Sequence, residues 1–311
     1  MHEVPLHRMK CTKCGSSADK LAQITGVWGS SASGMLHSDM SSPSCKPGQE
    51  FRHWNPIRED KTPVDPLLLI PLLAAPFIGS FIGTLAVRLP QGRPVLWGRS
   101  ACDHCGTMLR PAELVPILSW VVLRGHCRHC RARIGWIHPI AEVAALLLAV
   151  WAILAVPPPL APWTAAFGWG LLAVALIDLR HFVIPNPLSI ALALLGLLLA
   201  FLWDPPSLAD HAVGAVVGYA LLWVVGLAYR ALRGRSGLGE GDARLLAAIG
   251  AWVGWQGLPT VVLYASAAGL IHATMARLGG QEIRGTSRLP FGPHLCLGAW
   301  LVWLYGPLML G

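Results

Sequence analysis

Of the chain's 311 residues, 54% are hydrophobic and only 13% are charged, and its mean hydropathy is +0.54. A water-soluble domain carries about twice that share of charge, so a soluble globular protein is excluded, and disorder is excluded for the bulk of the chain. Eight cysteines spread thinly over such a length exclude a disulfide-stapled secreted module, which leaves an all-α polytopic membrane protein.

The net charge of +8 is explained by position. Eight of the 24 Lys and Arg lie before residue 62, and the remainder are all Arg, set almost entirely between hydrophobic runs. That is the distribution of a topology signal, so the expected partner is the lipid bilayer and not nucleic acid. The fourteen Trp fit a membrane chain, because indoles favour its interface.

Residues 1–63 are rich in Ser, Gly, Lys and His and carry Cys11, Cys14 and Cys45 without any long apolar run. They read as a polar, disordered tail and not as a signal peptide. The CTKC pair is half a zinc site with no second pair nearby. From Val64 onward, apolar segments near 65–88, 137–156, 160–178, 186–203, 211–230, 243–257, 258–276 and 291–310 predict about eight transmembrane helices. The sixth and seventh are joined tightly through Gly257 and Pro259.

Between the first and second spans, residues 89–136 hold seven Arg against Asp103 and Glu113. The 179–185, 231–242 and 277–290 connections also carry Arg, whereas those at 157–159, 204–210 and 256–259 carry no Lys or Arg. The alternation places the Arg-bearing loops in the cytoplasm and both termini outside. The 89–136 loop contains Cys102, Cys105, Cys127 and Cys130 as CDHC and CRHC, with 21 residues between the pairs. Two turns bearing two thiolates each predict a closed tetrahedral zinc site, structural because four thiolates leave no open position. His104, His126 and His129 beside them read as surface or supporting residues. The LVPILSWVVL stretch is apolar enough to lie on the membrane surface.

Acidic groups inside spans are functional candidates by default. Glu142 lies early in the second span, Asp178 at the end of the third and Asp242 at the start of the sixth. The topology puts both aspartates at the cytoplasmic edge. Two carboxylates at one depth can share a proton and divide into base and acid for peptide hydrolysis. They can equally be interface salt bridges, Asp178 with Arg180 and Asp242 with Arg244. Glu142 is open between holding a substrate amine and bonding between helices. His138 and His181 read as helix-end residues, and Cys296 as a small buried one.

Several stretches together resemble the type IV prepilin peptidase family of GxGD membrane aspartic proteases: GSFIGTLAVRLP at 79–90, the cysteine loop, HPIAEVAALL, LIDLRHFVIPN, GEGDARLLAAIGAWVGW and LPFGPHLCLGAW. The resemblance covers roughly 66–310 in the family's order. It implies that Asp178 and Asp242 are the catalytic pair, with Gly239 and Gly241 framing the motif and Pro185 and Pro290 its turn prolines. It implies zinc on the four cysteines. It also implies cleavage of the basic leader of type IV prepilins or type II secretion pseudopilins at the inner (cytoplasmic) membrane. N-methylation of the new terminus with S-adenosylmethionine comes with the family. The resemblance divides the chain into the tail, a 64–136 part with the first span and zinc loop, and a 137–311 peptidase domain. Glu240, Arg244 and Gly83 depart from the family pattern, Gly83 standing where Asn is usual, which bears on methyl transfer. Asp103, Glu113 and Glu240 are the acidic groups expected to meet a basic leader. The competing class, a secondary transporter with intramembrane carboxylates, calls for midplane charges and internal repeats that the sequence lacks.

Overall fold

The computed structural model describes residues 65–95, 100–102, 104–234, 239–280 and 290–308. The tail read at 1–63, Asp103, and the arginines at 235, 284 and 288 lie outside the described residues. Asp65 opens the first helix, α1 (Pro66–Arg88), by accepting the Leu67 N–H at 2.9 Å, with Pro66 in the first turn where no donor is missed. A short helix, α2 (Leu118–Val122), sits in the cysteine loop. The chain continues through α3 (Ile137–Ala155), α4 (Ala161–His181), α5 (Asn186–Trp203), α6 (Leu208–Arg233), α7 (Glu240–Leu278) and α8 (Gly292–Tyr305).

The expected all-α architecture is present, and the described residues contain no strand, only two isolated bridges in the loop. Among the described residues six helices, rather than about eight, are long and apolar enough to cross a membrane. The difference has two sources. α8 has 14 residues, about 21 Å of helix. The expected segments at 243–257 and 258–276 both fall within the 39 residues of α7, which breaks at Gly254 with φ 70° and ψ 173°.

Register fixes what that break does. Gly218 lies against Leu246 and Gly214 against Gly250, so the first part of α7 runs antiparallel to α6. Beyond the break, the Leu308 N–H donates to Thr260 Oγ1, Gly298 lies against Val261, and His272 meets His294. The second part therefore runs antiparallel to α8. Because the start of α8 and the start of α7 both meet Ile184, the two ends of α7 lie on one side of the bundle. The chain reverses at Gly254, a conformation open to glycine and strained for other residues.

The approaches between helices use missing side chains. A Cβ on Gly79 would stand 2.5 Å from the Glu142 Cα, and one on Gly83 would stand 2.7 Å from His138 Nδ1 and 3.2 Å from its Cα. Lipid offers no hydrophobic drive between helices, so close backbone approach supplies the dispersion contact instead. A side chain at position 83 would meet the His138 ring, and Gly83 makes room for it. The tryptophans divide between two environments. Trp136, Trp203 and Trp223 are exposed as interface anchors would be, whereas Trp252 and Trp300 are buried. Trp252 stacks on Phe167 at 4.3 Å and donates to the Leu192 carbonyl at 2.8 Å.

Candidate active site and metal centre

Three turns converge at one end of the bundle. The first, between α4 and α5, carries Ile184 and Pro185; the second opens α7 at Gly239; the third opens α8 at Pro290. Ile184 joins them, lying where a Cβ on Gly241 would stand 3.0 Å from its Cβ and one on Gly292 would stand 3.1 Å from its Cδ1. The glycines of the second and third turns thus let the three segments close on one apolar side chain.

Asp178 and Asp242 point into this convergence, close enough for their charges to interact directly. Asp178 is buried at 5% exposure, and its Oδ2 accepts the Gly292 N–H at 3.1 Å. A side chain on Gly292 would occupy that carboxylate's place, its Cβ falling 2.7 Å from Oδ2. Asp242 stands in the first turn of α7, where its Oδ2 accepts the Gly239 N–H at 3.3 Å. Buried Cys296 lies within electrostatic reach of both.

The salt-bridge alternative is settled by geometry. Arg244 reaches Glu240 Oε2 and Asn186 Oδ1, each at 2.8 Å, and not Asp242. Among the described residues no cation pairs with Asp178 or Asp242. Glu240, the departure inside the GxGD motif, is thereby engaged by Arg244 at the rim, four residues along one helix face. Arg180 is exposed at the end of α4.

Glu142 is engaged by the loop. Buried at 4% exposure in α3, it accepts the Ile117 N–H at 2.6 Å. Ile117 has φ 61° and ψ −53°, with the Leu118 N–H returning to the Pro116 carbonyl at 2.5 Å. This is a γ-turn strained for a β-branched residue and held by the contacts around it. The apolar stretch after it, including Leu118, Val121 and Val122, is exposed.

The four cysteines come together, their sulfurs all within 4.8 Å of one another. Each pair sits in the same small hairpin. Ala101 bridges Met108, and His126 bridges Arg133. Gly106 and Arg131, each following the second cysteine of its pair, have φ of 66° and 57°. The repeat C-x-H-C followed by this left-handed residue is a sequence signal that spacing alone had not brought out. Cys102 Sγ and Cys130 Sγ lie 3.8 Å apart, the edge of a tetrahedron about 2.3 Å from its centre. The side-chain and then the backbone hydrogen bond of Thr107 draw the Cys105 thiol down to about 6. Cys130 has a lowering backbone hydrogen bond from Ala132, yet lost hydration and the neighbouring thiols hold it up to about 11. Four thiolates this close repel one another unless a cation sits among them, so the cluster is suited to a metal ion such as zinc.

The contact between Ile117 and Glu142 carries a prediction. Replacing Glu142 by Leu removes a charged acceptor, a loss of about 1.5 kcal/mol, so trypsin should cut the loop at Arg124–Arg133 about tenfold faster. Glu142→Gln keeps an acceptor oxygen and should resist like the native chain. Equal digestion of all three would mean that the bond does not hold the loop.

Comparison with known proteins agrees with the arrangement. Residues 73–156 match the Bacterial Peptidase A24 N-terminal domain, and residues 165–274, which include Asp178 and Asp242, match the Type IV leader peptidase family. The prepilin leader peptidase/N-methyltransferase of Burkholderia pseudomallei (strain K96243) is 39% identical over 256 residues, 74% of this chain and 82% of the relative. The protein of the same name from Aeromonas hydrophila is 39% identical over 67% of this chain and 72% of its own. That from Pseudomonas aeruginosa is 34% identical over 77% and 90%. No solved structure matches the chain at a significant level. With both domains matched in order and relatives covered over most of their length, the chain belongs to the type IV leader peptidase family.

Proposed function

We propose that this protein is a multi-pass aspartic endopeptidase of the inner membrane that removes the leader of type IV prepilins or type II secretion pseudopilins at the cytoplasmic face. The observation that carries the proposal is the Asp178–Asp242 pair, two carboxylates close enough for their charges to interact, each with a backbone donor and, among the described residues, no paired cation. The relatives' names support the substrate. Eight crossings are supported by the reversal at Gly254, which makes two antiparallel passes of α7, with α8 as the last. The 1–63 tail, the 64–136 part and the 137–311 peptidase part remain our division of the chain.

The chemistry follows from one proton shared by two carboxylates. The ionised one takes a proton from a water molecule as its oxygen attacks the scissile carbonyl carbon. The protonated one gives its proton to the leaving nitrogen as the C–N bond breaks. The products are the leader's new carboxylate and the mature chain's amine, and the shared proton has changed sides. Donors from Gly292 and Gly239 hold each carboxylate's orientation without neutralising it, which a paired arginine would do.

Zinc on Cys102, Cys105, Cys127 and Cys130 would brace the loop and supply no catalytic position, since all four ligands are protein thiolates. N-methyl transfer is in the relatives' names, and S-adenosylmethionine would supply the methyl group. Within the loop, Glu113 Oε1 and Trp120 Nε1 are buried polar atoms without a partner, and they are the groups the loop offers such a ligand.

Two measurements test the proposal. In membranes holding equal amounts of protein, Asp178→Asn and Asp242→Asn should each reduce prepilin cleavage by about a thousandfold or more; cleavage by both near the native rate would contradict it. Elemental analysis of the purified protein should find one zinc per chain, lost in Cys127→Ser. A full complement of metal in that variant would remove the four-cysteine assignment.

A further inference from the structure

Two histidines that take no part in the acid–base chemistry stand one hydrogen-bond step behind it. His272, near the end of α7, and His294, in the first turn of α8, meet with His272 Nδ1 3.1 Å from His294 Nε2. The other ring nitrogen of His294, Nδ1, lies 3.0 Å from the Pro290 carbonyl oxygen. That oxygen can only accept, so His294 carries its proton on Nδ1 and, as a neutral ring, accepts at Nε2 from His272 Nδ1–H. The tautomers of both rings are therefore fixed by one carbonyl.

Pro290 belongs to the turn that serves Asp178. Two residues on, the Gly292 N–H donates to Asp178 Oδ2 at 3.1 Å. The Pro290 carbonyl precedes the helix and finds no helical partner, since the His294 and Leu295 amides go to Phe291 instead. In a buried turn it needs a donor, and the His294 ring supplies one. The His294 ring lies beside Gly269 of α7, where even a Cβ would stand in ordinary van der Waals contact, 3.9 Å from His294 Cγ. The pair thus ties the second half of α7 to the turn whose backbone orients the carboxylate.

We infer that His294, and His272 through it, are positioning residues that hold the Pro290–Gly292 turn so that its amide stays on Asp178. The inference rests on the active-site reading above. A misplaced donor should slow the chemical step and leave substrate binding alone, so the loss falls on kcat.

The test uses the full-length protein in proteoliposomes, with kcat and KM for prepilin cleavage measured for His294→Leu, His294→Asn, His272→Leu and Asp178→Asn. Leucine at 294 fills similar space without a donor and should lower kcat about tenfold with KM unchanged, the scale of one misplaced hydrogen bond. Asparagine carries an amide N–H near the position of Nδ1 and should recover kcat to within about threefold. His272→Leu should give a smaller loss, again in kcat. If His294→Leu cleaves like the native protein, or if asparagine is as poor as leucine at equal protein level, the positioning role is overturned. Asp178→Asn separates the two claims. Cleavage surviving in it overturns the active-site reading and this role together, whereas cleavage lost in it but untouched in His294→Leu overturns this role alone.

Discussion

A carboxylate carried into the edge of a membrane must have its oxygens satisfied, and pairing it with a cation would fix its charge. This protein satisfies three of them with main-chain amides instead: Asp178 from Gly292, Asp242 from Gly239 and Glu142 from Ile117. A backbone donor orients an acid without neutralising it, and it ties the acid to a particular turn. Much of the local architecture follows. The turns at the starts of α7 and α8 must bring their amides inward, glycines must leave room for carboxylates and for Ile184, and the loop must bend through a strained residue to reach α3.

The same donor has different consequences at different places. At Asp178 and Asp242 it leaves two carboxylates within reach of each other's charge, the pair to which we assign the proton exchange of peptide hydrolysis. At Glu142 it fastens a four-cysteine loop to the helices below it, because the accepting side chain is in α3 and the donor is in the loop. Ala141 and Ile177, the neighbours of Glu142 and Asp178 in sequence, pack in one cluster with Ile82 and Ala86 of α1. The loop anchor and the acid pair are therefore borne by helices in direct contact.

What the sequence revealed depended on contrast. Acids stand out in apolar runs, and paired cysteines stand out in an Arg-rich loop, so the positions of Asp178, Asp242 and the four clustered cysteines were legible. Partners were less so. Arg244 lies two residues from Asp242 and four from Glu240, and on a helix only the latter shares its face; spacing held that answer. The reversal in α7 was placed near Gly257 and Pro259, but Gly254 makes it, because Pro259 is accommodated in the first turns of the following segment. The G-x-x-x-G pairs at 79 and 83, 214 and 218, and 250 and 254 were signals for close helix contact that hydropathy alone passes over. The His272–His294 contact joins residues 22 apart across a turn, and no local pattern announces it.

The claim on which the account stands is that two carboxylates share one proton. The pH dependence of kcat/KM for leader removal by the purified protein tests it most directly. The account predicts a bell, with rate lost at low pH as the base takes up a proton and lost at high pH as the acid gives its proton away. A rate that rises once with pH and stays level would contradict it, because a single ionised group would then suffice.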